Sequence, residues 1–233
     1  MSDSTPHPTS RRDFLGRAAT AAAAAAAGLA STPATLLAEQ AAPPPDDSWL
    51  TGLKGKHRQI FDMPQPAGGL PMIHVRNYLD TYASAYGLRH PDVNAVAGLY
   101  FMTVPLALTD PMWQKYKLGA AANVVDAETN APAERNVFWK PRGGAVLPVA
   151  GGPVPVPNDT AMTELQKRGT TYIVCNNAMN FWAGSIARQS GQTPADVRKE
   201  LDAHLVPGVV VVPAMVIAFN RAQEAGLTYM FLP

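Results

Sequence analysis

The chain has a single cysteine, Cys175, which excludes an intramolecular disulfide. Charge is sparse and balanced. The first 38 residues hold three of the 19 basic and two of the 18 acidic residues, so the remainder carries 16 of each. That neutrality leaves no basic stripe for nucleic acid and no lysine-rich amphipathic helix for a membrane surface. No glycine pattern of the dinucleotide-binding or P-loop kind occurs. Gly68-Gly69, ahead of a helical pattern, could form an anion-binding nest but reads more simply as a turn. There is no Gly-x-Ser-x-Gly elbow to supply an esterase nucleophile. His57, His74, His90 and His204 fall in different elements without an i, i+4 pair, which argues against zinc. No cofactor is expected on these grounds.

Strongly apolar runs long enough to span a bilayer are also missing. The nearest is the alanine-rich stretch from Ala18 to Leu29, which is too short and too weakly hydrophobic for a permanent anchor. It follows Ser10-Arg11-Arg12-Asp13-Phe14-Leu15, an order similar to a twin-arginine export signal, with Gly16 and Arg17 where a lysine is usual. Arg11 and Arg12 are the residues the export machinery would recognise. Residues 1–38 are read as the signal, with small residues at Ala34, Ala38 and Ala41 offering cleavage sites. Residues 39–50 are read as a proline-stiffened tether. The expected compartment is the periplasm or another extracytoplasmic space, with no membrane attachment of the mature form.

What is present beyond these segments, residues 51–233, is long enough for one domain with its own core. Strands are expected at His57–Met63, Ala95–Val104, Thr170–Cys175, Val209–Val212 and Thr228–Leu232. Helical spacing relates Val75, Leu79, Tyr82 and Tyr86, closed by Gly87, and a short helix is expected over Asp110–Tyr116. Further helices follow the Asn158-Asp159-Thr160 cluster, run through Met179, Ala183 and Ile186, begin at Thr193-Pro194 with Asp196, and span Ala214–Ala225 with Ile217, Ala218 and Ala222 inward. Between residues 118 and 158 the pattern gives way to paired glycines and alternating prolines, an insertion with some β character near Val137–Trp139. Apolar strands alternating with helices predict a three-layer α/β/α fold with a mainly parallel sheet of about five strands.

Ligands of such sheets sit outside the carboxyl ends of the strands. Those ends carry Met63, Met102, Cys175 and Met215, with Asn176 and Asn177 directly after the cysteine. A cysteine at a strand end followed at once by a helix lies near unpaired backbone N–H groups, which favours a nucleophilic thiolate. The same position suits a small buried hydrophobe. The three methionines with one thiolate form a set suited to a soft metal such as Cu(I), or else fill core gaps.

Three segments of the C-terminal third carry a family likeness. They are Val174-Cys175-Asn176-Asn177-Ala178, the run Leu205-Val206-Pro207-Gly208-Val209 with Val211-Val212-Pro213-Ala214, and Gln223-Glu224-Ala225-Gly226-Leu227-Thr228-Tyr229. Together they resemble the DsrE/DsrF-like family of small sulfur-relay-type proteins. The resemblance implies a compact, commonly homo-oligomeric domain in which Cys175 accepts or passes sulfur as a persulfide, with a sulfur donor or acceptor as partner. The chain departs from that pattern in its insertion and in having Tyr100-Phe101-Met102-Thr103 where members often carry a His-Gly pair. The alternative reading is a non-catalytic oligomeric protein that binds a small ligand or soft metal.

Overall fold

The computed structural model describes residues 47–232. The signal reading of residues 1–38, with Arg11 and Arg12, and the tether up to residue 46 lie outside the described residues. The folded unit starts earlier than residue 51. A short helix, α1 (Ser48–Thr51), buries Trp49 in the core, so the residues just before position 51 pack with the domain and are not tether.

Strand β1 (His57–Met63) leads through a 3₁₀ turn at Ala67–Gly69 into helix α2 (Leu70–Ala85). Met72, Val75 and Leu79 are its buried stripe, while Arg76 on the solvent face pairs with Asp80 at 3.2 Å. Strand β2 (Val93–Leu99) is buried at all seven positions, and its one polar side chain, Asn94, accepts from the Gly55 N–H at 2.8 Å. It ends five residues before the expected Val104. Phe101 takes φ +51, and the chain continues as a 3₁₀ helix over Phe101–Ala107. Thr103 locks this turn, its Oγ1 donating to the Met63 carbonyl at 2.5 Å and accepting from the Tyr100 N–H at 2.9 Å.

Helix α3 (Asp110–Tyr116) and a single turn, α4 (Leu118–Ala121), open the insertion. Its β structure lies in two small hairpins, β3 (Val125–Asp126) with β4 (Ala131–Pro132) and β5 (Val146–Val149) with β6 (Gly152–Pro155). Val137 and Phe138, expected in a strand, are instead buried turn residues. Asn136 anchors that turn. Its buried side chain donates to the Leu106 and Leu108 carbonyls at 2.8 and 2.9 Å and accepts from the Phe138 N–H at 3.1 Å. Gly68 lies under the β5–β6 hairpin, where an added Cβ would come within 2.2 Å of the Val146 carbonyl oxygen. With φ of +64 at Gly68 and +100 at Gly69, this glycine pair is a packing site for the insertion.

Helix α5 (Met162–Lys167) follows, with Ala161 rather than the Asn158 cluster at its N-cap. Then come β7 (Thr170–Cys175), α6 (Asn176–Ser190), α7 (Pro194–Ala203), β8 (Val209–Val212), α8 (Met215–Glu224) and β9 (Thr228–Phe231). Thr193 caps α7 as its sequence predicts, accepting from the Asp196 N–H at 3.1 Å.

Five strands form one all-parallel sheet in the order β8-β7-β2-β1-β9, flanked by helices on both faces, a three-layer α/β/α architecture. Side chains alternate between two cores. Phe61, Met63, Leu99, Tyr172 and Val174 pack with α2 and with Met179, Trp182, Ala183 and Ile186 of α6. Ile60, Val96, Ile173, Cys175 and Val212 face the other way, against Met215, Ala218 and Ala222 of α8 and Trp49 of α1. Ile217, expected inward, is 53% exposed. Ala218 and Ala222 face the sheet as expected, and the third member of the stripe is Met215 in place of Ile217. Among the described residues no helix is long and apolar enough to cross a membrane.

Candidate functional site

Strands β7 and β8 are neighbours, yet the helices that follow them cover opposite faces of the sheet. The carboxyl ends of such a pair leave a crevice between two diverging chains, the usual place for a ligand in an open α/β sheet. Cys175 is the last residue of β7 and stands at that divergence.

The thiol is only 6% exposed, and its sulfur accepts two backbone hydrogen bonds. One comes from Ala178 N–H in the first turn of α6, at 3.4 Å. The other comes from Met215 N–H, the first residue of α8, also at 3.4 Å. Cys175 is thus the N-cap of the helix that continues its own strand. It also meets the first amide of α8, whose N-cap residue Ala214 has no capping side chain of its own. Two helix N-termini converge on one sulfur, where their unpaired amides and aligned dipoles favour negative charge.

Beside this sulfur lies a polar cluster that sequence reasoning did not find. Asp62, near the end of β1, is 5% exposed and faces the α8 side, two residues beyond Ile60. Its Oδ2 accepts from the Tyr229 hydroxyl of β9 at 2.5 Å. Its Oδ1 is buried without a hydrogen-bond partner. Tyr100 follows β2 on the same face, in the register position next to Cys175, because Gly98 pairs with Ile173. The Phe219 ring of α8 stands edge-on to both tyrosines, with centroids 6.1 Å from Tyr100 and 5.4 Å from Tyr229. Gly98 lets α8 come this close, since a Cβ there would lie 2.9 Å from Met215 Sδ and 3.1 Å from the Phe219 ring.

Burial, then the Asp62 carboxylate, pushes the Tyr229 hydroxyl up to about 12. Burial, then Asp62, also raises Tyr100, with a smaller contribution from charge on Cys175. Both hydroxyls therefore remain protonated near neutral pH.

The other residues singled out in the sequence divide between the two faces. Met63 is buried and Met102 half-buried on the α2 side, whereas Met215 packs on the α8 side with Cys175. The sheet thus separates Met63 and Met102 from Cys175 and Met215. Asn176 is half-buried and Asn177 exposed at the start of α6; the Asn176 carbonyl accepts from Arg198 at 3.4 Å. Among the described residues no three His, Cys, Asp or Glu side chains gather as metal ligands do. His57 pairs with the Tyr82 hydroxyl at 3.3 Å, His90 with Asn94 at 3.2 Å and His204 with the Glu200 carbonyl at 2.9 Å, each in its own locality.

A recess of about 610 Å³ lies in the insertion, bordered by Lys117, Asp126, Glu134 and Arg135. Its charges are already matched, Arg135 to Asp126 at 2.7 Å and Lys117 to Glu134 at 2.6 Å. It presents no unpaired charge to a ligand.

No protein-family model and no curated protein matches the chain. Among solved structures, a protein of unknown function from Methanobacterium thermoautotrophicum is similar at 17% identity and a TM-score of 0.40, covering 76% of this chain and 100% of its own.

Proposed function

We propose that this chain is an exported, DsrE/DsrF-like sulfur-handling protein in which Cys175 accepts sulfane sulfur from a persulfide donor. The observation that carries the reading is the pair of amides, from Ala178 and Met215, that meet the Cys175 sulfur at the switch point of the sheet. A thiol kept only for packing needs no such donors. In the transfer, the Cys175 sulfur attacks the outer sulfur of R–S–SH. The donor's S–S bond breaks, R–S⁻ leaves, and Cys175 becomes a persulfide whose charge is met by the same two helix N-termini.

Twin-arginine export and homo-oligomeric assembly belong to the same reading. Export rests on the Arg11-Arg12 pair and the alanine stretch behind it. Assembly is supported by edge strand β9, where Tyr229, Met230 and Phe231 stand exposed. The soft-metal alternative is disfavoured because Met63 and Met102 lie across the sheet from Cys175.

The test is incubation of the folded protein with a low-molecular-weight persulfide, read by mass spectrometry of the Cys175 peptide. One added sulfur on the wild type and none on Cys175→Ser is the expected result. A thiol that takes sulfur only after denaturation overturns the reading.

A further inference from the structure

Strand β9 is one edge of the sheet, and among the described residues no strand pairs with its outer side. The bonds to β1 say which backbone groups are left open. Leu232 N–H donates to the Asp62 carbonyl at 2.8 Å, and successive residues of a strand turn their N–H and C=O to opposite sides. Thr228 and Met230 therefore face β1, while the N–H and C=O of both Tyr229 and Phe231 point away from it. Edge strands are usually blunted by charge, by proline or by a covering element. Thr228-Tyr229-Met230-Phe231 has neither charge nor proline, and all four residues are exposed. The opposite edge differs, since Val209, Val210 and Val211 of β8 are half-buried and Val212 is buried.

A second observation lies beside the same edge. A cleft of about 320 Å³ opens between α2 and the β1–β9 pair, walled by Phe61, Tyr78, Tyr82, Tyr86 and Met230. Its rings form a series, with centroids 5.6 Å apart from Phe61 to Tyr78, 5.0 Å from Tyr78 to Tyr82 and 5.5 Å from Tyr82 to Tyr86. No Asp, Glu, Lys or Arg lines it. A surface rich in Tyr, Phe and Met and free of charge has the composition of an interface core. It also meets a copy of itself without like-charge repulsion.

We infer that two copies of this chain pair antiparallel through β9 about a two-fold axis at Met230, joining their sheets into one. With Met230 facing the partner's Met230, Tyr229 stands opposite the partner's Phe231, and Phe231 opposite the partner's Tyr229. Both outer pairs then exchange two backbone hydrogen bonds, so every open group of Tyr229 and Phe231 is used. Neighbouring registers do worse. An axis on Tyr229 sets Phe231 against the partner's Leu227, a residue whose N–H already donates to the Ala222 carbonyl at 2.9 Å. An axis on Phe231 sets Tyr229 against position 233, a proline without an N–H. In the inferred register the two Met230 side chains meet on the α2 face, at the tyrosine cleft, while Tyr229 and Phe231 form cross-strand aromatic pairs on the α8 face. The assignment rests on the reading of this chain as a homo-oligomer and is independent of the chemistry at Cys175.

The test is sedimentation of the full chain at micromolar concentration beside Met230→Lys, with circular dichroism to verify folding. It is joined by oxidative cross-linking of Met230→Cys and Thr228→Cys, each in a Cys175→Ser background. Wild type sediments as a dimer, and Met230→Lys, which sets two ammonium groups face to face, weakens association by roughly a hundredfold or more. Across the two-fold axis the Cα atoms of residue 230 are about 4.5 Å apart, within disulfide reach, whereas those of residue 228 are roughly 14 Å apart. Met230→Cys therefore cross-links roughly tenfold or more faster than Thr228→Cys. A monomeric wild type overturns both this interface and the homo-oligomeric reading. An oligomer that Met230→Lys leaves intact, or equal cross-linking at the two positions, overturns the interface alone. A dimer with the expected cross-link that takes up no sulfur supports the interface while the persulfide reading falls.

Discussion

Met215 N–H and Cys175 Sγ lie 3.4 Å apart although 40 residues separate them in the chain. This contact joins the N-terminus of α8 to the end of β7 through a single sulfur atom, which is also the N-cap of α6. The residue proposed to carry chemistry is therefore structural as well, and its replacement has a stability cost that must be known before activity is interpreted.

Cys175→Ala removes the acceptor for both amides and leaves a small void between β7 and α8. A loss of about 1–2 kcal/mol is expected from the forfeited cap and the reduced packing, measured by urea unfolding. A change below about 0.3 kcal/mol, within the usual range of neutral surface substitutions, would show that the sulfur caps neither helix.

Asn136→Ala removes three buried hydrogen bonds that tie the insertion to the segment after β2. The Leu106 carbonyl and the Phe138 amide lose this partner, while the Leu108 carbonyl keeps the Trp113 Nε1 donor at 3.2 Å. The expected cost is about 2–4 kcal/mol, with limited proteolysis cutting first between residues 118 and 158.

Lys115 and Tyr116 hydrogen-bond Glu200 and hold its carboxyl below the ordinary value of 4.5, the lysine contributing most. The folded pKa is lowered, so the stabilisation is present above the ordinary value and fades as pH falls through the lowered one. Wild type should exceed Glu200→Gln in thermal stability at pH 7, and the two should converge once the pH has fallen below the lowered value. Parallel curves across the acid range would rule the linkage out.

Tyr229 carries the opposite linkage. Its hydroxyl is raised from 10.0 to about 12 by burial and by Asp62, so its contribution is full below pH 10 and is lost as pH rises towards 12. Tyr229→Phe should flatten the alkaline loss of stability in that window. Ultraviolet titration should show one high-pH tyrosine transition fewer than in the wild type.

The strands and their parallel arrangement were legible because each is an apolar run bounded by turn residues, and β7 and β8 match their expected limits. The junction of Cys175 with a helix was legible for the same local reason. The rest of the cluster was not. Tyr229 meets Asp62 across 167 residues, and no local pattern announces such a pairing. A signal did exist at Asp62, a lone carboxylate at the tip of an apolar strand, where burial of charge demands a partner. The end of β2 was misplaced because Phe101 adopts a positive φ that an aromatic residue does not advertise. Ile217 was misassigned because α8 presents small residues to the sheet, Ala218 and Ala222, so the larger side chain was mistaken for the inner one.

Strand β9 pairs with β1, Tyr229 opposite Ile60, although the two lie far apart in the chain. During synthesis β1 keeps one edge open until β9 has been made, long after its other neighbour β2. A chain stopped before β9 lacks Tyr229 and leaves Asp62 without the donor to its Oδ2. Strand β9 thereby ties closure of one sheet edge to the pairing of a buried carboxylate, so that a single late-made element completes both.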